Sequence, residues 1–141
     1  MKKLLTLLIA LAIIISIPAS ITSADDTYAM IKYCTDTADL SAASLTLTCS
    51  STRSSRLGFV TVHADAATTE TITVTLDYKL TATADTVLKT TSWSANTDFL
   101  WEPEGNIILR QGDAITVTVT NANTANNVYA TVALEEITWD R

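Results

Sequence analysis

The chain has 141 residues, nine basic and fifteen acidic, for a formal net charge of −6. A phosphate backbone is repelled by such a field, which argues against nucleic acid and anionic membrane surfaces as partners. Threonine is abundant while glycine and proline are scarce, a composition suited to β-strands with a solvent-tolerant face.

The chain opens with Lys2 and Lys3, followed by an apolar run over residues 4–17 broken only by Thr6 and Ser16. Pro18 and a small-residue stretch ending at Ala24 come next. A positive start, a short apolar stretch and a small-residue exit make a secretory signal peptide. The run is shorter than the roughly 20 apolar residues a spanning helix needs. Cleavage after Ala24 is the expectation, with an uncleaved anchor as the alternative. The product, residues 25–141, then carries seven basic and fifteen acidic side chains, a net charge of −8. Its length fits one domain. It is expected outside the cell or at its surface, with no membrane attachment once the signal is gone.

Strand signals follow in chain order. A first strand is expected around residues 28–33, and a second over 44–49, where Leu45, Leu47 and Cys49 share one side. Cys34 and Cys49 are the only cysteines, and export to an oxidising compartment makes a disulfide between them the expected state, against two buried thiols. Residues 57–64 are apolar on both sides over part of their length and suit a central strand. Residues 71–80 alternate strictly, with Ile72, Val74, Leu76, Tyr78 and Leu80 on one face and polar residues on the other. Weaker strands are expected at 86–92, 98–101 and 106–110. Glu102-Pro103-Glu104-Gly105 has the residue order of a type I turn, and Arg110-Gln111-Gly112-Asp113 that of a hairpin turn. Residues 114–120 alternate again, with Ile115, Val117 and Val119 inward. A polar loop over 121–127 leads to a last central strand, 128–134. Glu135 and Glu136 interrupt it, and a bulge there would return Ile137 and Trp139 to the core. No helical stripe follows the signal; residues 36–43 have room for one helical turn. About eight or nine short strands predict an all-β domain, a single antiparallel β-sandwich of jelly-roll-like or immunoglobulin-like type.

Catalytic chemistry finds little to use. His63 is the only histidine, with Asp65 two residues on and no nucleophile elbow anywhere. Glu102 and Glu104 flank a turn, while Glu135 and Glu136 point to opposite faces if they lie on a strand. No catalytic residue is assigned, and the protein is read as a non-enzyme. No metal site is assigned either. Calcium is the one cation worth weighing, from Asp25, Asp26, Asp36 and Asp39 with Asn121, Asn123 and Asn126, but without EF-hand spacing. The aromatics (Trp93, Trp101 and Trp139, with Tyr28, Tyr33, Tyr78, Tyr129, Phe59 and Phe99) fill a core or stack on sugars. An exposed Trp93–Trp101 pair would mark a glycan or surface contact. Threonines 71, 73, 75 and 116, 118, 120 would form a hydroxylated outer face, suited to cross-strand packing, ordered water or lateral assembly.

Several segments recur in order: residues 56–63, 72–77, 85–88 and 97–103, then Gly112-Asp113 and Asn123-Thr124 ahead of Tyr129. Over residues 56–134 the chain resembles small β-sandwich proteins encoded among tailed-phage structural genes. The resemblance implies a structural role at a virion surface or fibre, and it brings no catalytic residue. Two features depart from that pattern: the export signal, and the segment holding Cys34 and Cys49. The leading expectation is thus a secreted, non-enzymatic structural or adhesive β-sandwich that binds a surface, a glycan or another copy of itself. A phage or prophage virion protein is the second, and a hydrolase the third.

Overall fold

The computed structural model describes residues 30–81, 84–122 and 125–137. The signal segment, Asp25, Asp26, Tyr28, Asn123 and Trp139 lie outside the described residues. Seven strands are present among those described: β1 (Met30–Asp39), β2 (Leu45–Ser50), β3 (Ser55–Asp77), β4 (Thr86–Trp101), β5 (Ile108–Leu109), β6 (Ala114–Val119) and β7 (Asn127–Glu136). All pairings are antiparallel and belong to one hydrogen-bonded sheet in the order β1-β7-β3-β6-β2, with β4 and β5 also on β3.

The count is below the expected eight or nine because two pairs of expected strands are continuous. Residues 57–64 and the first seven of the expected 71–80 are two parts of the 23-residue β3, which ends at Asp77. Residues 86–92 and 98–101 are two parts of β4. On one side of β3, residues 55–64 pair with β7 and residues 72–77 pair with β6. β4 follows its other side along both stretches, with register shifts between His63 and Glu70. β3 therefore belongs to two halves of the sheet. One half is β1, β7, the start of β3 and the end of β4; the other is β2, β6, the end of β3 and the start of β4.

At the hand-over from β7 to β6, the Asn126 side-chain amide donates to the carbonyls of Ala66 and Ala67 and to Thr68 Oγ1, each at 3.2 Å. It satisfies carbonyls that neither neighbouring strand reaches. Across from it on β4, Ala95 takes a positive φ of 54°, an irregularity that lets the hairpin change direction.

The period-two pattern sorts side chains as expected. Leu45, Leu47 and Cys49 of β2, Ile115, Val117 and Val119 of β6, and Ile72, Val74 and Leu76 of β3 are buried together. Leu57, Val60, Val62 and Ala64 of β3 join Val128, Ala130, Val132 and Leu134 of β7 in the same core. The switch from odd to even inward positions in early β3 needs one extra residue. It occurs between Leu57 and Phe59, at Gly58. The bulge is thus on β3, not at Glu135 and Glu136, which stay in regular register with Ile31 and Met30. Gly58 lies against the Ala133 carbonyl, where an added β-carbon would sit 3.4 Å away, so its small size suits the bulge.

The Arg110–Asp113 turn forms, with the Asp113 N–H donating to the Arg110 carbonyl at 3.1 Å and Gly112 at φ +93°. It is not a hairpin: β5 pairs with β3 alone, and β6 with β2 and β3. Within 36–43, β1 runs on to Asp39, and the N–H of Ala43 donates to the Asp39 carbonyl, closing one helical-type turn. Cys34 and Cys49 are bonded to each other, joining the two ends of the strand path with a Cα–Cα distance of 5.6 Å. Lys32 Nζ donates to the Ser50 carbonyl beside them, at 2.7 Å.

Candidate binding surface

Register places the outward side chains of the first half in rows across the strands. One row is Tyr33, Ala133 and Phe59; the next is Thr35, Thr131, Thr61 and Leu100; the third is Thr37, Tyr129, His63 and Asp98. Such rows lie about 7 Å apart along the strands, and neighbours in a row about 4.8 Å apart. The rings of Tyr33 and Phe59 have centroids 6.2 Å apart, as do those of His63 and Tyr129. Tyr33 is 57% exposed, Tyr129 46% and Leu100 62%. Together the Tyr33–Phe59 pair shields Ala133, which is buried although it points outward. The face thus presents two aromatic pairs on either side of a threonine row, bounded by an exposed leucine. Aromatic groups that keep a polar edge in water suit binding faces.

The outer face of the second half is hydroxylated. Thr46, Thr118, Thr73 and Thr90 make one row, and Thr48, Thr116, Thr75 and Val87 the next. The expected threonines 73 and 75 are therefore side by side with 118 and 116, while Thr120 accepts from the Thr71 N–H and turns its hydroxyl to Glu70. Their hydroxyls are partly engaged: Thr48 and Thr116 Oγ1 lie 3.0 Å apart, and Thr116 also donates to Asp77.

Trp93 and Trp101 do not form an exposed pair. Trp93 is 2% exposed and sits opposite Glu70, itself buried; Trp101 is half-buried opposite Val60 and packs on the core. Both follow the inward phase of β4, so Trp93 offers no face to a glycan, and the exposed aromatics lie on the other side of the sheet. Glu70 accepts from the Thr120 hydroxyl and from the Ala122 N–H.

His63 turns to Asp98, with Nδ1 and Oδ1 2.7 Å apart, while Asp65 accepts instead from the Asn127 backbone and side chain. The Thr97 hydroxyl and then the His63 ring hold the Asp98 carboxyl below its ordinary value of 3.8. A carboxyl lowered on folding adds stability that is present above the ordinary value and lost as pH falls through the folded one. Both groups are exposed, so the effect on global stability is small. The local effect is measurable: in carboxyl-detected NMR titrations, Thr97→Ala and His63→Ala each raise the Asp98 midpoint. Asp39 is lowered in the same way by its hydrogen bonds to Ser41.

Four further carboxylates are engaged separately. Glu135 pairs with Arg56, and Glu136 accepts from Thr52 at 2.8 Å. Asp36 accepts from the Thr37 N–H and Asp39 from the Ser41 N–H, each at 2.8 Å. Among the described residues, no three His, Cys, Asp or Glu side chains gather as metal ligands do.

Two concavities flank β5. One, about 290 Å³, is lined by Arg56, Gly58, Glu102, Glu104, Asn106 and Glu135. The other, about 460 Å³, lies between the end of β3 and the turn before β6, with Tyr78, Lys79, Leu80, Ile108, Arg110 and Asp113 in its wall. Sequence periodicity marked Tyr78 and Leu80 as inward; Leu80 is in fact highly exposed, past the end of β3.

No family model matches the chain, and no curated protein matches it. Among solved structures it is similar to the Drosophila NLP core, described in connection with pentamer formation and histone binding. There the identity is 12%, with 72% of this chain and 95% of that one covered and a TM-score of 0.39. It is also similar to PirA, with 9% identity, 79% and 98% covered and a TM-score of 0.43.

Proposed function

We propose that this is a secreted, non-enzymatic adhesive or structural protein whose two sheet halves face each other as the layers of a β-sandwich. The outer face of the first half is its contact surface for a glycan, a solid surface or another copy. The observation that carries this reading is the Tyr33–Phe59 and His63–Tyr129 pairs, exposed at Tyr33, His63 and Tyr129, either side of the Thr35–Thr131–Thr61 row. Apolar ring faces between hydroxyls match the alternating C–H and O–H surfaces of a sugar chain. The Cys34–Cys49 bridge supports a location outside the reducing cytosol.

Glycan-array and adsorption measurements on the exported protein test the assignment. Tyr33→Ala and Tyr129→Ala each weaken binding about tenfold, roughly 1.4 kcal/mol. Both side chains are exposed, so the melting temperature stays where it is. Binding that survives both substitutions intact removes this face as the contact surface.

A further inference from the structure

We infer that the concavity between β3 and the β5–β6 turn is a second, separate binding site, one that takes the carboxylate of an acidic saccharide. It shares no residue with the aromatic face, so either assignment stands or falls without the other. Its volume of about 460 Å³ lies in the range of small-ligand sites.

Two cations, Lys79 and Arg110, stand at its rim with no ion-pair partner among the described residues. The ion pairs among the described residues are Arg56–Glu135 and His63–Asp98; Lys79 and Arg110 take part in neither. Against the single carboxylate of the wall, Asp113, they leave a local excess of positive charge in a chain with fifteen acidic residues. Charges beyond roughly 8 Å are screened at physiological ionic strength, so an incoming anion responds to these two cations more than to the net charge.

The nearby carboxylates face the main chain. Asp113 is buried; its Oδ1 accepts from the Lys79 N–H at 3.2 Å and its Oδ2 from the Arg110 N–H at 2.9 Å. One side chain thereby fixes the backbone of both cation-bearing residues. Asp85 Oδ1 accepts from the Tyr78 N–H at 3.2 Å. The Lys79 stem lies over Gly112, where an added β-carbon would overlap its Cδ. A glycine at that position gives the stem its bed, and the positive φ of the turn is one glycine adopts freely. The backbone of both rim residues and the Lys79 stem are therefore held before a ligand arrives, which lowers the ordering cost of binding.

The chemistry of the wall selects the ligand. A guanidinium matches a carboxylate with two parallel hydrogen bonds, and an ammonium adds a point charge. Tyr78, Leu80 and Ile108 supply apolar surface for the C–H face of a pyranose ring.

The test is calorimetric titration of the exported protein with a galacturonate trimer, its methyl ester and inorganic phosphate. The trimer is expected to bind, more weakly as salt is raised, and the uncharged ester at least about tenfold more weakly. Lys79→Ala and Arg110→Ala each lower trimer affinity about tenfold, and Arg110→Lys, which keeps the charge and loses the fork, gives an intermediate loss. Melting temperatures check that the variants fold, and Thr46→Ala, on the exposed face of β2 and in neither proposed site, leaves trimer binding unchanged. Failure of the trimer to bind, equal binding of the ester, or wild-type affinity in both alanine variants overturns the site. Phosphate binding as tightly as the trimer overturns the saccharide assignment.

Discussion

Replacing Cys34 and Cys49 together by alanine lowers the unfolding free energy by about 3 kcal/mol, the loop-closure contribution for a bridge of this span. The bridge ties β1 to β2, whose main-chain ladders are with β7 and β6 respectively and which stand at opposite ends of the strand path. Without it the unfolded chain gains the freedom of an open loop, and the native path loses its one covalent closure. Cys49 is fully buried among Leu45, Leu47 and Ile115, so the substitution also leaves an unfilled volume in the core. Urea unfolding of the oxidised, reduced and double-alanine proteins measures the effect. The reduced protein and the variant are expected to melt roughly 10–20 °C below the oxidised one. A shift of a degree or two would mean that main-chain pairing alone holds the two ends together.

Leu134→Ala is expected to cost about 2–5 kcal/mol. Leu134 is fully buried on β7, the strand between β1 and β3, opposite Lys32 on one side and Leu57 on the other. Neighbours fixed by two ladders collapse poorly into a void, which places this site in the upper part of that range. Leu134→Met, which conserves volume, should cost less than about 1.5 kcal/mol. Thr46→Ala, on the exposed face of β2, should stay within about 0.5 kcal/mol. Small domains have only about 5–15 kcal/mol in all, so Leu134→Ala is separable from the control by denaturant midpoint alone.

The alternation at 72–76, 115–119 and 45–49 was legible because each of these stretches has one wet and one dry face. So was the bond between the two lone cysteines, expected from the reading of an export signal. The continuity of β3 was not, because residues 65–69 carry two alanines, two threonines and an aspartate with no inward apolar side chain to keep the period. Thr68 fills an inward position there, buried and hydrogen-bonded, where a hydrophobic residue was the expected signal. The sequence marks both ends of β4 but not its continuity past Ser92, where Ala95 takes a positive φ and the register with β3 shifts. The bulge was assigned to the two glutamates because they break the alternation of burial; Gly58 does so more quietly, by adding one residue to β3.

The binding surfaces were less legible than the fold, for a topological reason. Tyr33, Phe59 and Tyr129 are far apart in sequence and become neighbours only because β7 inserts between β1 and β3. The tryptophans drew attention by size, yet Trp93 and Trp101 occupy the inward phase. For the second concavity, the visible sign was the Gly112-Asp113 pair after Arg110. Read as turn chemistry alone, it gave no hint that the Asp113 carboxylate also reaches Lys79, a residue of a different segment.

The position of β7 also bears on how the protein matures. Emerging N-terminus first, the chain exposes β1 long before its sole ladder partner, β7, has been synthesised. Throughout that interval β1 is an unsatisfied edge, open to mispairing with other nascent chains. The Cys34–Cys49 link spans only 15 residues and needs nothing downstream, so oxidation can park the first strand beside the second while the rest arrives. In a cell lacking thiol oxidants the same polypeptide would accumulate as aggregate, even where the finished product tolerates reduction.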